Sequence, residues 1–452
     1  MLKESDRCTA RITGYTSDGE GVCRVDGEAV FVPGALAGEE CLLRIVNVGK
    51  TCAHAKLEQV LEPSPHRIEP DCPYFPACGG CDFRQMDYEE ELSLKKQRVL
   101  DALTRIGGLA VRELPITGAP ALDGYRNKAQ YPAANQKGRA VCGFYRARTH
   151  EVIAVERCRL QPPEADRIRA AVLSWMSENH VSVYDERAHK GCVRHVFVRF
   201  GAATGQILVC VVGFCRSVPA PKELVAAVLA AVPETTSIVF CFNDKHGNTV
   251  LGDRFETLCG PGWIEDTLLG LRFRLSPRSF YQINHAQAER LYEKALEFAA
   301  LTKDDTALDL YCGTGTITLL LAAQAGKAVG VEIIPEAIAD ARENAQRNGV
   351  PNAEFFCADA GEAARRFAES GTQPDVIVVD PPRKGVSADV IEAMRAMAPR
   401  RIVYVSCDPA TLARDVKLLS EDYRFERAEA FDLFPRCAHV ETVCLMSRVE
   451  GK

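Results

Sequence analysis

No stretch of this chain is apolar enough, for long enough, to span a bilayer. Its most apolar run, Ile207–Cys215, is nine residues, against the ~20 that a membrane helix needs. The opening MLKESDRCTA is charged at once and has no apolar signal core. A soluble, cytoplasmic protein is therefore expected. There is no excess of positive charge either: 55 Lys and Arg stand against 61 Asp and Glu, for a net charge of −6. Attachment to nucleic acid by bulk charge is excluded, and any such contact has to be local. One local excess exists. Between Leu122 and Phe200 there are 14 basic and 8 acidic residues, whereas residues 1–62 hold 7 and 10. Arg126, Lys128, Arg146 and Arg148 are the first candidates there for such a contact. Repeats and low-complexity tracts are absent. Nor is a disulfide framework expected, because the 19 cysteines are odd in number and the chain is long and has no secretory signal.

What the chain has is apolar content for several cores, 47% of 452 residues, enough to exclude disorder as its main state. Residues 1–62 alternate apolar and polar positions between Gly-rich turns such as SDGEG, which predicts a small β-barrel. EPSPHRIEP reads as a linker, and a cysteine-rich knot follows from Cys72 to Cys81. A helix is expected over about 87–106, with Leu92, Val99 and Leu103 on one stripe and Gly107–Gly108 at its end. Residues 63–272 are expected to form a central α+β domain with the knot and the basic stretch. From 273 to 452 the rhythm changes. A helix over about 285–301 precedes the strands ALDLY, AVGVE, AEFFC, DVIVVD and RIVYVS, which alternate with helical segments. That pattern predicts a doubly wound α/β domain on a mainly parallel sheet. The fold class is thus multidomain: β-barrel, α+β, then α/β.

The run Ala307–Ile317 is a strand, a glycine turn and the start of a helix. Gly313 and Gly315 let the backbone turn tightly and approach a ligand. The dinucleotide fingerprint fails, because its third glycine position is Thr318, and there is no P-loop lysine. The pattern suits S-adenosylmethionine (SAM), which has no pyrophosphate to cradle. Glu332, at the end of the next strand, is placed for ribose hydroxyls, and Asp359 for the adenine amino group. Asp309 completes the ordered set.

Two further strand ends point toward the same crevice, Asp380-Pro381-Pro382-Arg383 and Ser406-Cys407-Asp408-Pro409. The first resembles the motif of amino-methyltransferases, which need no thiol. Cys407 changes the reading. A thiolate that adds to carbon 6 of uracil makes carbon 5 nucleophilic enough to take a methyl group, and a base must then remove the carbon-5 proton. Glu441 lies among apolar neighbours that raise a carboxyl pKa; His439 is a rival base. Read singly, Cys407 is also consistent with a buried core thiol and Glu441 with an exposed strand glutamate. Cys72, Cys78 and Cys81 supply three thiolates at ligand spacing, with Cys158 chosen as the fourth. That spacing leaves an iron–sulfur cluster, zinc and free thiols open.

These motifs together resemble the RNA uracil-5-methyltransferase family, in the branch with an N-terminal TRAM domain and an iron–sulfur cluster. The resemblance rests on GEGVCRVDGEAVFVPGALAGE, SFYQIN, LDLYCGTGTIT, DPPRKG, SCDPATLARD and FPRCAHVETV, and covers nearly the whole chain. It implies SAM contacts at Gln282, Tyr311, Glu332, Asp359 and Asp380, with Cys407 as nucleophile and Glu441 as base. It also implies a [4Fe–4S] cluster on Cys72, Cys78, Cys81 and Cys158. The implied substrate is RNA, 23S ribosomal RNA first and transfer RNA second, handled by a monomer with no obligate protein partner. A non-catalytic RNA-binding iron–sulfur protein is the reading from another class. Two departures stand out: Asp408 where the motif often has Asn, and Arg436-Cys437 where the final motif commonly has His-Thr. Both are expected to affect the RNA pocket.

Overall fold

The computed structural model describes residues 2–449; the expected domain ends at residues 1 and 452 lie outside them. Three main sheets follow one another along the chain. The first has six short strands in the order Arg7–Arg11, Glu40–Val48, Cys52–Glu62, Glu28–Val32, Gly21–Val25 and Gly14–Tyr15. Alternation puts Cys23, Val30, Val32, Cys41, Leu43 and Ile45 into a small core of its own. The second has seven strands, with Lys128–Gln136, Val193–Phe200, Ile207–Gly213 and Thr235–Phe242 in its middle. The helices Pro163–Glu178 and Pro221–Ala231 cover one face, through Ile168, Val172, Trp175, Leu224 and Val228.

The third sheet has eight strands. Its order is Ala353–Cys357, Lys327–Glu332, Thr306–Asp309, Val376–Val379, Arg401–Ser406, Glu441–Arg448, Tyr423–Phe431 and Ile116–Thr117. All paired neighbours are parallel except around Glu441–Arg448, which runs against both of its own. Val376–Val379 is buried on both faces, as a central parallel strand between helix layers should be. The chain order reverses between Thr306–Asp309 and Val376–Val379. That reversal opens a crevice at the carboxyl ends of the strands.

Three details differ from expectation. The division at 272/273 cuts a hairpin, Ile264–Leu268 paired with Leu271–Leu275, in which Arg272 faces Thr267. Cross-strand pairing spans the expected break. The helix begins at Tyr88 and runs in α-form to Asp101, with a wider turn over 102–106. Asp87 caps it by accepting from the Glu90 N–H. Its buried face includes Glu91 and Lys95 as well as Leu94 and Val99, so the stripe that packs inward is partly charged. The third difference lies after the helix, where Ile116–Thr117 pairs with the edge strand Tyr423–Phe431. The helix and this short strand therefore pack on the third sheet, ahead of the second sheet in the chain.

Candidate active site and cysteine centre

The crevice is a cleft of about 760 Å³. Backbone geometry explains its floor. Gly313 has φ +53 and open space where a Cβ would stand, so a ligand can lie against its backbone. Gly315, at φ +85, is closed in by Ala341 and the Phe355 ring, each 3.0 Å from a Cβ position. Only glycine serves there. Thr318, where a dinucleotide fold has its third glycine, donates its hydroxyl to Asp309 (2.7 Å), and Asp309 also accepts from the Tyr311 N–H. Asp309 thus supports the turn from below and does not line the cleft.

Gln282, Tyr311, Glu332, Asp359 and Asp380 all line it, together with Cys407, His439 and Glu441. Glu332 accepts from the N–H groups of Gly313 (3.2 Å) and Ile334 (3.0 Å), which fixes its carboxylate at the turn. Asp359 caps the next helix through Oδ1, accepting from Gly361 and Glu362. Asp408 caps the helix after the strand Arg401–Ser406, accepting from Ala410 and Thr411. Its departure from Asn is thus a cap, which either residue provides. An open glycine cradle, a fixed acid at the turn and a capping acid beyond the third strand fit SAM.

Around Cys407 the charges are unbalanced. Burial first, and then the Asp380 charge, push Glu441 up to about 8, with Arg383 opposing both. Asp380 is pushed up to about 7, first by burial and then by Asp309. The Cys407 thiol is held at about 11 by burial and by Glu441 and Asp380, with Arg383 working the other way. Among the described residues none donates a hydrogen bond to the Glu441 or Asp380 carboxyl. His439 is lowered to about 4 by burial and by Arg383, whose Nη2 lies 3.0 Å from His439 Nε2.

Several cleft residues escape a sequence reading. Phe280, 64% exposed, and Phe434 bring aromatic rings to the rim. Lys128 reaches the cleft from the second sheet, where burial lowers its ammonium to about 8. An isolated lysine in an otherwise half-buried strand was the available signal. Of the four cations expected to meet RNA, Lys128 opens onto the cleft, and Arg126 is turned inward, donating to Cys437 Sγ (3.3 Å). Arg146 and Arg148 remain at the surface, paired with Glu151 and Glu20.

Cys72, Cys78, Cys81 and Cys158 line a single cavity of about 70 Å³, with Arg84 and Arg126 in its wall. Among the described residues no group of three or more His, Cys, Asp or Glu is arranged to hold a metal ion. The thiols surround a space instead of converging on a point. The space is several times the ~10–15 Å³ that one water needs, so it fits a group of several atoms better than a lone ion. The second departure belongs here. Cys437 donates to the Gly80 carbonyl (3.2 Å) and Arg436 lies against Glu91 (3.4 Å). Both residues therefore face the cysteine loop and the following helix.

A crevice at the switch point of a parallel sheet, floored by a glycine turn and lined by acids and by the thiols of Cys312 and Cys407, defines a nucleotide-cofactor methyltransferase site. Comparison with known proteins agrees. Residues 269–449 match the family model described as tRNA (uracil-5-)-methyltransferase. An uncharacterized RNA methyltransferase of Clostridium tetani is 41% identical, over 99% of this chain and 97% of its own. One from Halalkalibacterium halodurans is 41% identical over 98% of each. The crystal structure of Pyrococcus abyssi tRNA (uracil-54, C5)-methyltransferase in complex with S-adenosyl-L-homocysteine superposes with a TM-score of 0.79 at 27% identity. It covers 97% of this chain and 99% of that one. The chain belongs to the RNA uracil-5-methyltransferase family. No helix among the described residues is long and apolar enough to cross a membrane.

Proposed function

We propose that the chain methylates carbon 5 of a uridine in RNA, with Cys407 as nucleophile, Glu441 as base and SAM as donor. The observation that carries this is the meeting, in one cleft with the glycine cradle, of a thiol and two buried carboxyls that no donor neutralises. When bound, SAM supplies an electrophilic methyl group on a positively charged sulfonium, which suits a pocket rich in carboxyls. Cys407 gives its thiol proton to water and adds through Sγ to carbon 6 of the ring, and the displaced electron pair makes carbon 5 the nucleophile. After methyl transfer Glu441 takes the carbon-5 proton, the ring double bond re-forms and Cys407 leaves as thiolate. A carboxyl at about 8 is matched to that task. His439 is the poorer base, because the Arg383 guanidinium occupies its Nε2 side.

Gln282, Tyr311, Glu332, Asp359 and Asp380 would hold SAM. The four cysteines would hold a [4Fe–4S] cluster, which the shape of their cavity favours over zinc. For the substrate, 23S ribosomal RNA is the first to test. Transfer RNA is the second reading, supported by the Pyrococcus enzyme, which shares this architecture over nearly its whole length. The overall architecture therefore does not discriminate between the two.

RNA carrying 5-fluorouridine at the target should trap a covalent complex, since fluorine cannot leave as a proton. Cys407→Ala should form none; equal trapping by that variant overturns the assignment. Loss of 5-methyluridine from one RNA class, in cells lacking the gene, identifies the substrate.

A further inference from the structure

Glu441 opens the strand Glu441–Arg448 opposite Phe431, and its carboxyl has no hydrogen-bond donor, so its aim depends also on the backbone that leads into it. That backbone, residues 432–440, carries Phe434 and His439 into the cleft and forms neither helix nor strand. It is nevertheless tied from outside along most of its length. The carbonyls of Asp432 and Leu433 accept from Gln287 (3.0 Å) and Asn284 (3.1 Å). Those of Phe434, Pro435 and Ala438 accept from Lys95 (3.2 Å), Tyr125 (2.9 Å) and Arg98 (2.7 Å). The Arg436 carbonyl accepts from the N–H groups of Asp82 (2.7 Å) and Phe83 (3.2 Å). In return, Arg436 N–H donates to Glu91 (2.7 Å), Ala438 N–H to Asp82 Oδ2 (2.8 Å) and Cys437 Sγ to the Gly80 carbonyl (3.2 Å).

Most of these partners come from two neighbouring pieces. Gly80, Asp82 and Phe83 belong to the cysteine loop, and Glu91, Lys95 and Arg98 to the helix Tyr88–Asp101. Asp82 directly follows Cys81, one of the cavity-lining cysteines. It grips Ala438, the residue before His439, and is not itself a cleft residue.

We infer that the cysteine loop and this helix form a brace that aims Glu441, and that Asp82 is a positioning residue for proton removal. The inference rests on the reading of Glu441 as the base. It gives the cysteine centre a mechanical role: it stiffens the loop from which the brace reaches the segment before Glu441.

Asp82→Ala removes the acceptor for the Ala438 N–H, whereas Asp82→Asn keeps an oxygen there without the charge. Full-length protein is assayed with SAM carrying a labelled methyl group and RNA containing ordinary uridine. Asp82→Ala should lower turnover roughly tenfold. KM for RNA and affinity for SAM should stay within about twofold of wild type. Methyl-labelled covalent RNA–protein complex should build up, and amide hydrogen exchange over 436–440 should quicken. Asp82→Asn should restore turnover to within about threefold of wild type. Wild-type turnover in Asp82→Ala overturns the inference, as does a loss of turnover without labelled complex. If Glu441→Gln itself builds up no labelled complex, the base assignment has failed. Hydrogen exchange in Asp82→Ala then decides the brace alone: quickened exchange supports it and unchanged exchange overturns it.

Discussion

Glu91 and Glu441 are both buried, at 0% and 4% exposure, and their surroundings are opposite. Glu91 accepts from Lys95 Nζ and from the Arg436 N–H, each at 2.7 Å. Lys95 also reaches Asp432 at 2.7 Å, and Tyr88 donates to the other oxygen of Asp432 at 2.8 Å. Burial alone would lower the Lys95 ammonium, but Asp432 and Glu91 outweigh it and hold it charged. Glu441 has no such partner. The contrast separates two uses of a buried acid. Burial raises both carboxyls; Glu91 is held by donors and fixes the position of a segment, whereas Glu441, with none, is pushed up to about 8 and is left free for the proposed role of base.

The largest expected effect tests the unpaired acid. Glu441→Gln should reduce turnover by about 10²–10⁴-fold and leave RNA joined to protein with the methyl group already transferred. Its stability should move in the opposite direction. The folded pKa of about 8 lies above that of the unfolded chain. Glu441 thus favours folding most at low pH, and that contribution is lost as pH rises through about 8. The Gln variant should therefore be more stable than wild type at pH 9, by up to about 5 kcal/mol, and equally stable at pH 4. A higher melting point at both values would mean that the gain is packing and not ionisation.

The paired acid should respond in the other way. Lys95→Met strands Glu91 and Asp432 as buried charges and should cost about 3–5 kcal/mol in denaturant unfolding. A variant as stable as wild type would erase the distinction between the two glutamates. The smallest effect concerns a surface pair. Arg148 is 77% exposed against Glu20 at 3.1 Å, and Arg148→Ala should change stability by less than about 0.5 kcal/mol. If the Arg148 guanidinium meets an RNA phosphate, the log–log salt slope of binding should fall by about one. An unchanged slope places the RNA elsewhere.

Much of this was legible in the sequence because it is periodic or punctuated. The strands of the third sheet are short Val- and Ile-rich runs, and Gly313, Gly315, Asp359 and Asp408 mark turns or caps at their ends. What was not legible depends on partners far along the chain. Ile116–Thr117 is too short to show a period, so its pairing with Tyr423–Phe431 left no trace. Glu91 and Lys95 look like an exposed i,i+4 pair until Asp432 arrives to bury them. Arg126 and Lys128 counted as surface charge, although one turns toward Cys437 and the other into the cleft. Cys437 gave no sign in the sequence that its thiol would meet the cysteine loop at the Gly80 carbonyl.

The two-residue strand at Ile116–Thr117 has a consequence for how the chain is made. It and the preceding helix complete the far edge of a sheet whose other strands come about 200 to 300 residues later. Lys95 must wait for Asp432, 337 residues downstream. At about 5–20 residues per second that wait is roughly half a minute. Throughout it, Lys95 lacks Asp432 and Val99 lacks the core it joins, while Leu94 can already pack on Leu36, Phe83 and Met86 and the first two sheets can close. The third sheet also cannot be cut out cleanly. A fragment from 269 onward would leave Asp432 without its lysine and Tyr423–Phe431 as a bare sheet edge, open to pairing with other copies. The methyltransferase sheet is begun early in translation and finished last, and it becomes a folding unit only when both ends of the chain have emerged.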